Sequence, residues 1–171
     1  MVRPRPGGFY YNSWEFQTMI HDAALFSGLP IEGVAFGCLD KDGFIHIEQT
    51  RTMVELLNEH GKIAVFHRAF DCVPDPYLAM ETLIDLGVGR VLTSGQKAKA
   101  IDGLELLKYL HRKYGDRIEI LVGSGVNETN VRTLIKNTGV SQYHSSCKDW
   151  RKDATTSGNV SFSYAPPPHE R

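Results

Sequence analysis

Four times along this chain a short β-branched or aromatic run ends in polar or glycine-rich residues. Ile63-Ala64-Val65-Phe66 leads into His67-Arg68-Ala69-Phe70-Asp71, and Arg90-Val91-Leu92 into Thr93-Ser94-Gly95-Gln96. Ile118-Glu119-Ile120-Leu121-Val122 runs into Gly123-Ser124-Gly125, and Val140-Ser141-Gln142-Tyr143 into His144-Ser145-Ser146. Each run reads as a strand. Amphipathic stretches separate them, with a period of roughly thirty residues, the length of a βα unit. If the strands lie parallel in one sheet, all the polar ends meet on one edge. That edge is where α/β proteins carry chemistry.

The intervening segments carry helix signals. Asn12 and Glu15 form a capping box ahead of the apolar stripe Phe16, Met19, Ile20, Ala23 and Ala24, which Gly28 closes. Gly33 to Gly37 reads as a further strand, turned by Asp40-Lys41-Asp42-Gly43. A second helix is expected over about Glu48 to Glu59, ending at Gly61. Asp75-Pro76 starts a third that runs to Gly87. Leu104, Leu107 and Leu110 mark a fourth, stopped by Gly115, and Asn127 opens a short fifth through Val131, Leu134 and Ile135 to Gly139. The count is five strands from Gly33 onward and a strand remnant near Arg3. Right-handed crossovers leave two architectures, an open doubly wound sheet or a (βα)₈ barrel. Residues 1–147 are the expected α/β unit. Residues 148–171, polar and containing Pro166-Pro167-Pro168, read as a loop and tail.

The 171 residues suffice for one domain with a real core, whereas a complete barrel normally needs about 250. A net charge of −1 argues against a broad nucleic-acid or acidic-membrane surface, and no apolar run is long enough to span a bilayer. Three widely spaced cysteines with no signal-peptide core suggest reduced thiols in the cytoplasm or nucleus.

His67 and Asp71, on one strand end and its loop, are candidates for an acid/base pair in which the carboxylate orients the ring and raises its basicity. Otherwise His67 is a satisfied interior histidine, and Arg68 an ion-pair partner for a neighbouring helix. Arg3 and Arg5 are fixed cations suited to carboxylate or phosphate, or else a disordered basic terminus. Gly123 and Gly125 let backbone N–H groups approach an anion, or simply make a tight turn. Thr93, Ser94, Gly95, His144, Ser145 and Ser146 add donors on the same edge. Asp40 is a minor candidate as a second carboxylate there. Cys38, Cys72 and Cys147 each follow a strand, so they are candidate ligands for a soft ion such as Cu(I), or isolated packing residues. His21, His60 and His111 read as solvated helix positions, and His169 lies in the tail.

Read in order, these strand ends resemble the CutC copper-homeostasis family. The matching residues are Arg3-Pro4-Arg5, Phe66-His67-Arg68-Ala69-Phe70-Asp71, Val91-Leu92-Thr93-Ser94-Gly95, Gly123-Ser124-Gly125-Val126 and His144-Ser145-Ser146. The resemblance runs from Arg3 to about His144. It implies a partial TIM (βα)₈ barrel lacking the first two βα units, most of the third strand and the last helix. It also implies copper handling with Cu(I) as ligand, whereas the strand-end residues themselves leave open an enzyme acting on a small anionic or phosphorylated compound with His67 and Asp71 as its acid/base pair. Under it Gly123-Ser124-Gly125 and His144-Ser145-Ser146 follow strands seven and eight, the usual phosphate position. Gly8 stands where the family usually has aspartate, and the family's cysteines fall in the missing segment. A barrel short of strands is expected to self-associate through its open edges.

Overall fold

A computed structural model of the chain describes residues 1–149, 151–156, 158–161 and 169–170. Helix α1 (Ser13–Ser27) starts where Asn12 accepts from Glu15 N and Glu15 reaches back to Asn12 N, so the expected capping box forms. Strand β1 (Gly33–Phe36) follows, then α2 (Ile47–Glu59), β2 (Ile63–Phe66), α3 (Pro76–Asp85) and β3 (Arg90–Thr93). Helix α4 (Leu104–Tyr114), β4 (Glu119–Val122), α5 (Val131–Thr138) and β5 (Gln142–Tyr143) complete the repeat. The five strands form one parallel sheet in chain order, β1-β2-β3-β4-β5. Chain order without a reversal gives the sheet of a barrel and excludes the doubly wound alternative. The strand remnant is a single contact, Val2 N donating to Ala35 O at 2.9 Å beside β1.

Alternation along the strands divides the sheet into two faces. Val34, Phe36, Ala64, Phe66, Val91, Ile120 and Val122 are buried against the helices with Met19, Met53, Leu83, Leu107, Leu110 and Tyr114. Full burial of such side chains contributes about 1.5–3 kcal/mol each. Ala35, Val65, Arg90 and Leu121 point to the other face, around a concavity of 420 Å³, and Arg90 donates from Nε to Glu119 Oε2 there at 2.6 Å.

One expectation needs correcting. Helix α5 begins at Val131, four residues after Asn127. Asn127 Oδ1 accepts from Thr129 N at 2.9 Å and Asn130 N at 3.2 Å, a local turn that competes with helix initiation. Among the described residues of the stretch read as a loop and tail, short strands also occur. Strand β6 (Arg151–Lys152) pairs antiparallel with β7 (His169–Glu170), and a 3-10 turn covers Ala154–Thr156. Pro166-Pro167-Pro168 lies outside the described residues.

Candidate functional site

The C-terminal ends of β1 to β5 share one edge because the sheet is parallel throughout. Gly37, His67, Ser94, Gly123 and His144 therefore stand at one mouth, as their positions in the sequence imply.

The His67–Asp71 pair does not form. Strand β2 stops at Phe66 and a 3-10 turn over Arg68–Cys72 begins at once, which rotates the two side chains apart. His67 Nδ1 accepts from Ala69 N at 3.2 Å, and Nε2 has no partner. The ring is 4% exposed, lies 5.0 Å from the Phe9 ring, and fills the space that Gly37 leaves by having no side chain. Burial pushes its pKa down to about 4, and the nearby Arg3 charge acts in the same direction. His67 is thus neutral at pH 7, the opposite of a carboxylate-raised base.

Asp71 instead fixes the loop after β3. Its carboxylate accepts from Thr93 Oγ1 at 2.6 Å, Ser94 N at 3.1 Å, Ser94 Oγ at 2.9 Å and Gln96 N at 3.1 Å. Arg68 Nε adds a charged bond at 2.7 Å, and Arg68 also donates to Ser94 Oγ at 2.9 Å. Arg68 therefore serves its own turn and the β3 loop, not a neighbouring helix. Gln96, at φ 57°, completes the loop by donating to Val73 O at 2.7 Å. Sequence reasoning missed this role for Asp71 and Gln96. The signal was the spacing of Arg68 and Asp71, which pairs side chains only if the chain turns helically after the strand.

The two N-terminal arginines divide. Arg5 is committed to Glu15, with further bonds to Gly8 O at 2.9 Å and Tyr10 O at 2.6 Å. Glu15 in turn holds the Arg5 pKa up, and Arg5 holds the Glu15 carboxyl down. Arg3 donates to Gly7 O and lies 4.9 Å over the Phe9 ring. Asp40 is occupied by its turn, accepting from Asp42 N and Phe44 N at 2.9 Å.

On the β4–β5 side, Gly125 has φ 70°, and its carbonyl accepts from the Nδ2 of Asn130, the residue before α5, at 2.7 Å, with the Asn127 turn between them. Ser124 Oγ donates to Ala98 O and Ser145 Oγ to Val126 O, each at 2.7 Å. His144 and Ser146 are exposed at the same end.

The cysteines are not gathered. Cys38 is fully buried, and burial pushes its thiol pKa up to about 12, so it holds its proton. Cys72 and Cys147 are exposed and free. Among the described residues no group of three or more His, Cys, Asp or Glu side chains could hold a metal ion. No helix among them is long and apolar enough to cross a membrane.

Comparison with known proteins agrees with this fold. The family model of the CutC family matches residues 1–149. A CutC family protein of Treponema denticola is 43% identical over 164 residues, covering 96% of this chain and 66% of its own. One from Mesorhizobium japonicum is 46% identical, over 84% of this chain and 55% of its own. The chain thus spans about two thirds or less of the curated relatives it matches. The crystal structure of a CutC from Streptococcus agalactiae, described as a "putative copper homeostasis protein", superposes with a TM-score of 0.78 at 32% identity, over 84% of this chain and 69% of that one. A structure from Coccidioides immitis described as a "putative fructose-1,6-biphosphate aldolase", at 16% identity and a TM-score of 0.52, shares the fold alone. This chain belongs to the CutC family.

Proposed function

We propose that the chain serves copper homeostasis, the role given for the Streptococcus agalactiae relative, by binding Cu(I). Family membership supports this reading. Cu(I) prefers soft thiolate donors, and the two accessible thiols, Cys72 and Cys147, both follow strand ends of the mouth. Cys38 contributes least, since its buried thiol would have to lose a proton held to about pH 12. Titration of reduced protein with Cu(I) against a colorimetric chelator tests the reading. Uptake should fall when Cys72→Ser and Cys147→Ser are combined and persist in Cys38→Ser. No uptake by the unsubstituted chain would overturn it.

One observation favours a second reading, binding of a small anionic or phosphorylated compound at the mouth. His67 is buried, neutral and unpartnered at Nε2, on the inner side of a parallel sheet's C-terminal edge. In this reading His67 supplies the proton-bearing nitrogen, and Asp71 positions the Thr93–Gln96 loop without touching the ring. A thermal-shift screen of phosphorylated and carboxylated metabolites tests it. Stabilisation by one chemical class that is lost in His67→Leu supports it, and a flat screen rejects it.

A further inference from the structure

Resting on that second reading, we infer that the anion site lies on the β1–β2 side of the mouth. There a small oxyanion, carboxylate or phosphate, would be held by His67 Nε2–H, the Tyr11 hydroxyl and the Arg3 guanidinium. The β4–β5 loops, to which family strand numbering points, are not the site.

Hydrogen-bond bookkeeping locates it. His67 Nδ1 accepts from Ala69 N, so the single proton of the neutral ring sits on Nε2, a donor with no acceptor. Tyr11 Oη is likewise buried, in a residue 2% exposed, with no hydrogen bond of ordinary length and with Arg3 as the side chain that approaches it. Among the described residues five buried side-chain polar atoms lack a partner, the others being Gln49 Oε1, Thr50 Oγ1 and Tyr114 Oη, and His67 and Tyr11 are the two on which Arg3 acts. Charge decides what that is. Arg3 acts electrostatically on both His67 and Tyr11, and no carboxylate acts on either. Two other ionisable groups act on Tyr11: Cys38, which stays protonated through burial, and Arg5, which is paired with Glu15. Arg3 has no carboxylate within ion-pair distance among the described residues, whereas Arg5 is spent on Glu15. A donor pair beside Arg3, with the N-terminal ammonium also acting on His67, recognises an anionic oxygen.

Geometry restricts size and direction. A side chain at Gly37 would lie 2.5 Å from His67 Nδ1, so that side is closed. The Phe9 ring covers the imidazole, with Arg3 stacked on it. A ligand therefore enters past Phe9, which is carried just after Gly7 and Gly8, the former at φ 98°. By contrast, the hydroxyls of Ser124 and Ser145 already donate to Ala98 O and Val126 O.

The test is titration of the full chain, ¹⁵N-labelled at histidine, with inorganic phosphate and separately with malonate, followed by NMR. The expected result is a saturable shift of the His67 Nε2 signal with at least one anion. Arg3→Met, at an exposed position, should weaken that binding roughly tenfold to a hundredfold, the loss of one charged hydrogen bond. Tyr11→Phe should weaken it less, and Ser145→Ala not at all. His67→Gln, which keeps a donor near the Nε2 position, should bind where His67→Leu does not. If an anion binds but shifts only Ser124–Val126 and Ser145, with Arg3→Met unaffected, this site is wrong and the anion reading stands. If neither anion binds, both fail.

Discussion

Burial sets the protonation state of His67, and the sign of its pH dependence follows. The folded-state pKa is about 4 against 6.5 for the free group. Between those values the unfolded chain binds the extra proton, so the full stability is present above pH ~6.5 and is lost as pH falls toward 4. The loss by pH ~4.5 should be about 2–3 kcal/mol. Urea denaturation at neutral and acid pH, compared with His67→Gln, isolates the effect, because the variant lacks the titrating ring. A gap between the two proteins that stays constant with pH would refute the assignment. Asp71 makes a different demand. Its side chain is 7% exposed and accepts bonds from Arg68, Thr93, Ser94 and Gln96. Asp71→Ala should cost roughly 3–5 kcal/mol, because several donors and a guanidinium lose their acceptor together. Thr93→Val, which removes one of those bonds, should cost about 1 kcal/mol. Equilibrium unfolding checks both, and an Asp71→Ala chain as stable as the parent would remove Asp71 from its positioning role.

At the scale of elements, the repeating units were legible because their signals are local. Asn12 with Glu15 started α1 and Asp75-Pro76 started α3, each through bonds within one turn. The apolar runs placed β1 to β4 for the same reason. What sequence could not show was how each loop leaves its strand. The regular strand that carried Ile63 to Phe66 ended before His67 and Arg68, and the Asn127 turn displaced the start of α5. Both outcomes depend on side-chain-to-backbone bonds that compete with regular structure. The acid/base pair was therefore misread while its strand was not. The β3 loop shows how closely such segments are packed. A Cβ on Gly103, the residue before α4, would lie 2.1 Å from Ser94 O and 3.0 Å from Gly95 Cα. Gly103→Ala should therefore destabilise the chain by about 1–3 kcal/mol and shift the amide signals of Ser94 and Gly95. Gly8→Ala, with nothing within 4 Å, should stay within about 0.5 kcal/mol of the parent. A neutral Gly103→Ala would mean that the loop and α4 are less tightly joined than the structure shows.

The whole molecule raises a question of edges. The family resemblance made the barrel geometry legible, and the chain-ordered sheet agrees with it. Yet the sheet remains open. Among the described residues its β1 edge carries only the Val2 contact, and β5 is two residues long. On the face away from the helices, Ala35, Val65 and Leu121 line a shallow concavity without a covering layer. Unpaired strand edges and an uncovered apolar face both favour association. This chain of 171 residues should therefore self-associate with increasing concentration. Sedimentation velocity over a range of concentrations measures this directly. Leu121→Lys places a charge on the open face of a central strand without touching the mouth, so it should shift the distribution toward monomer and leave the His67 signal unchanged. If instead the unsubstituted chain is a monodisperse monomer with cooperative thermal unfolding, the open face is tolerated in water and the edges do not drive assembly.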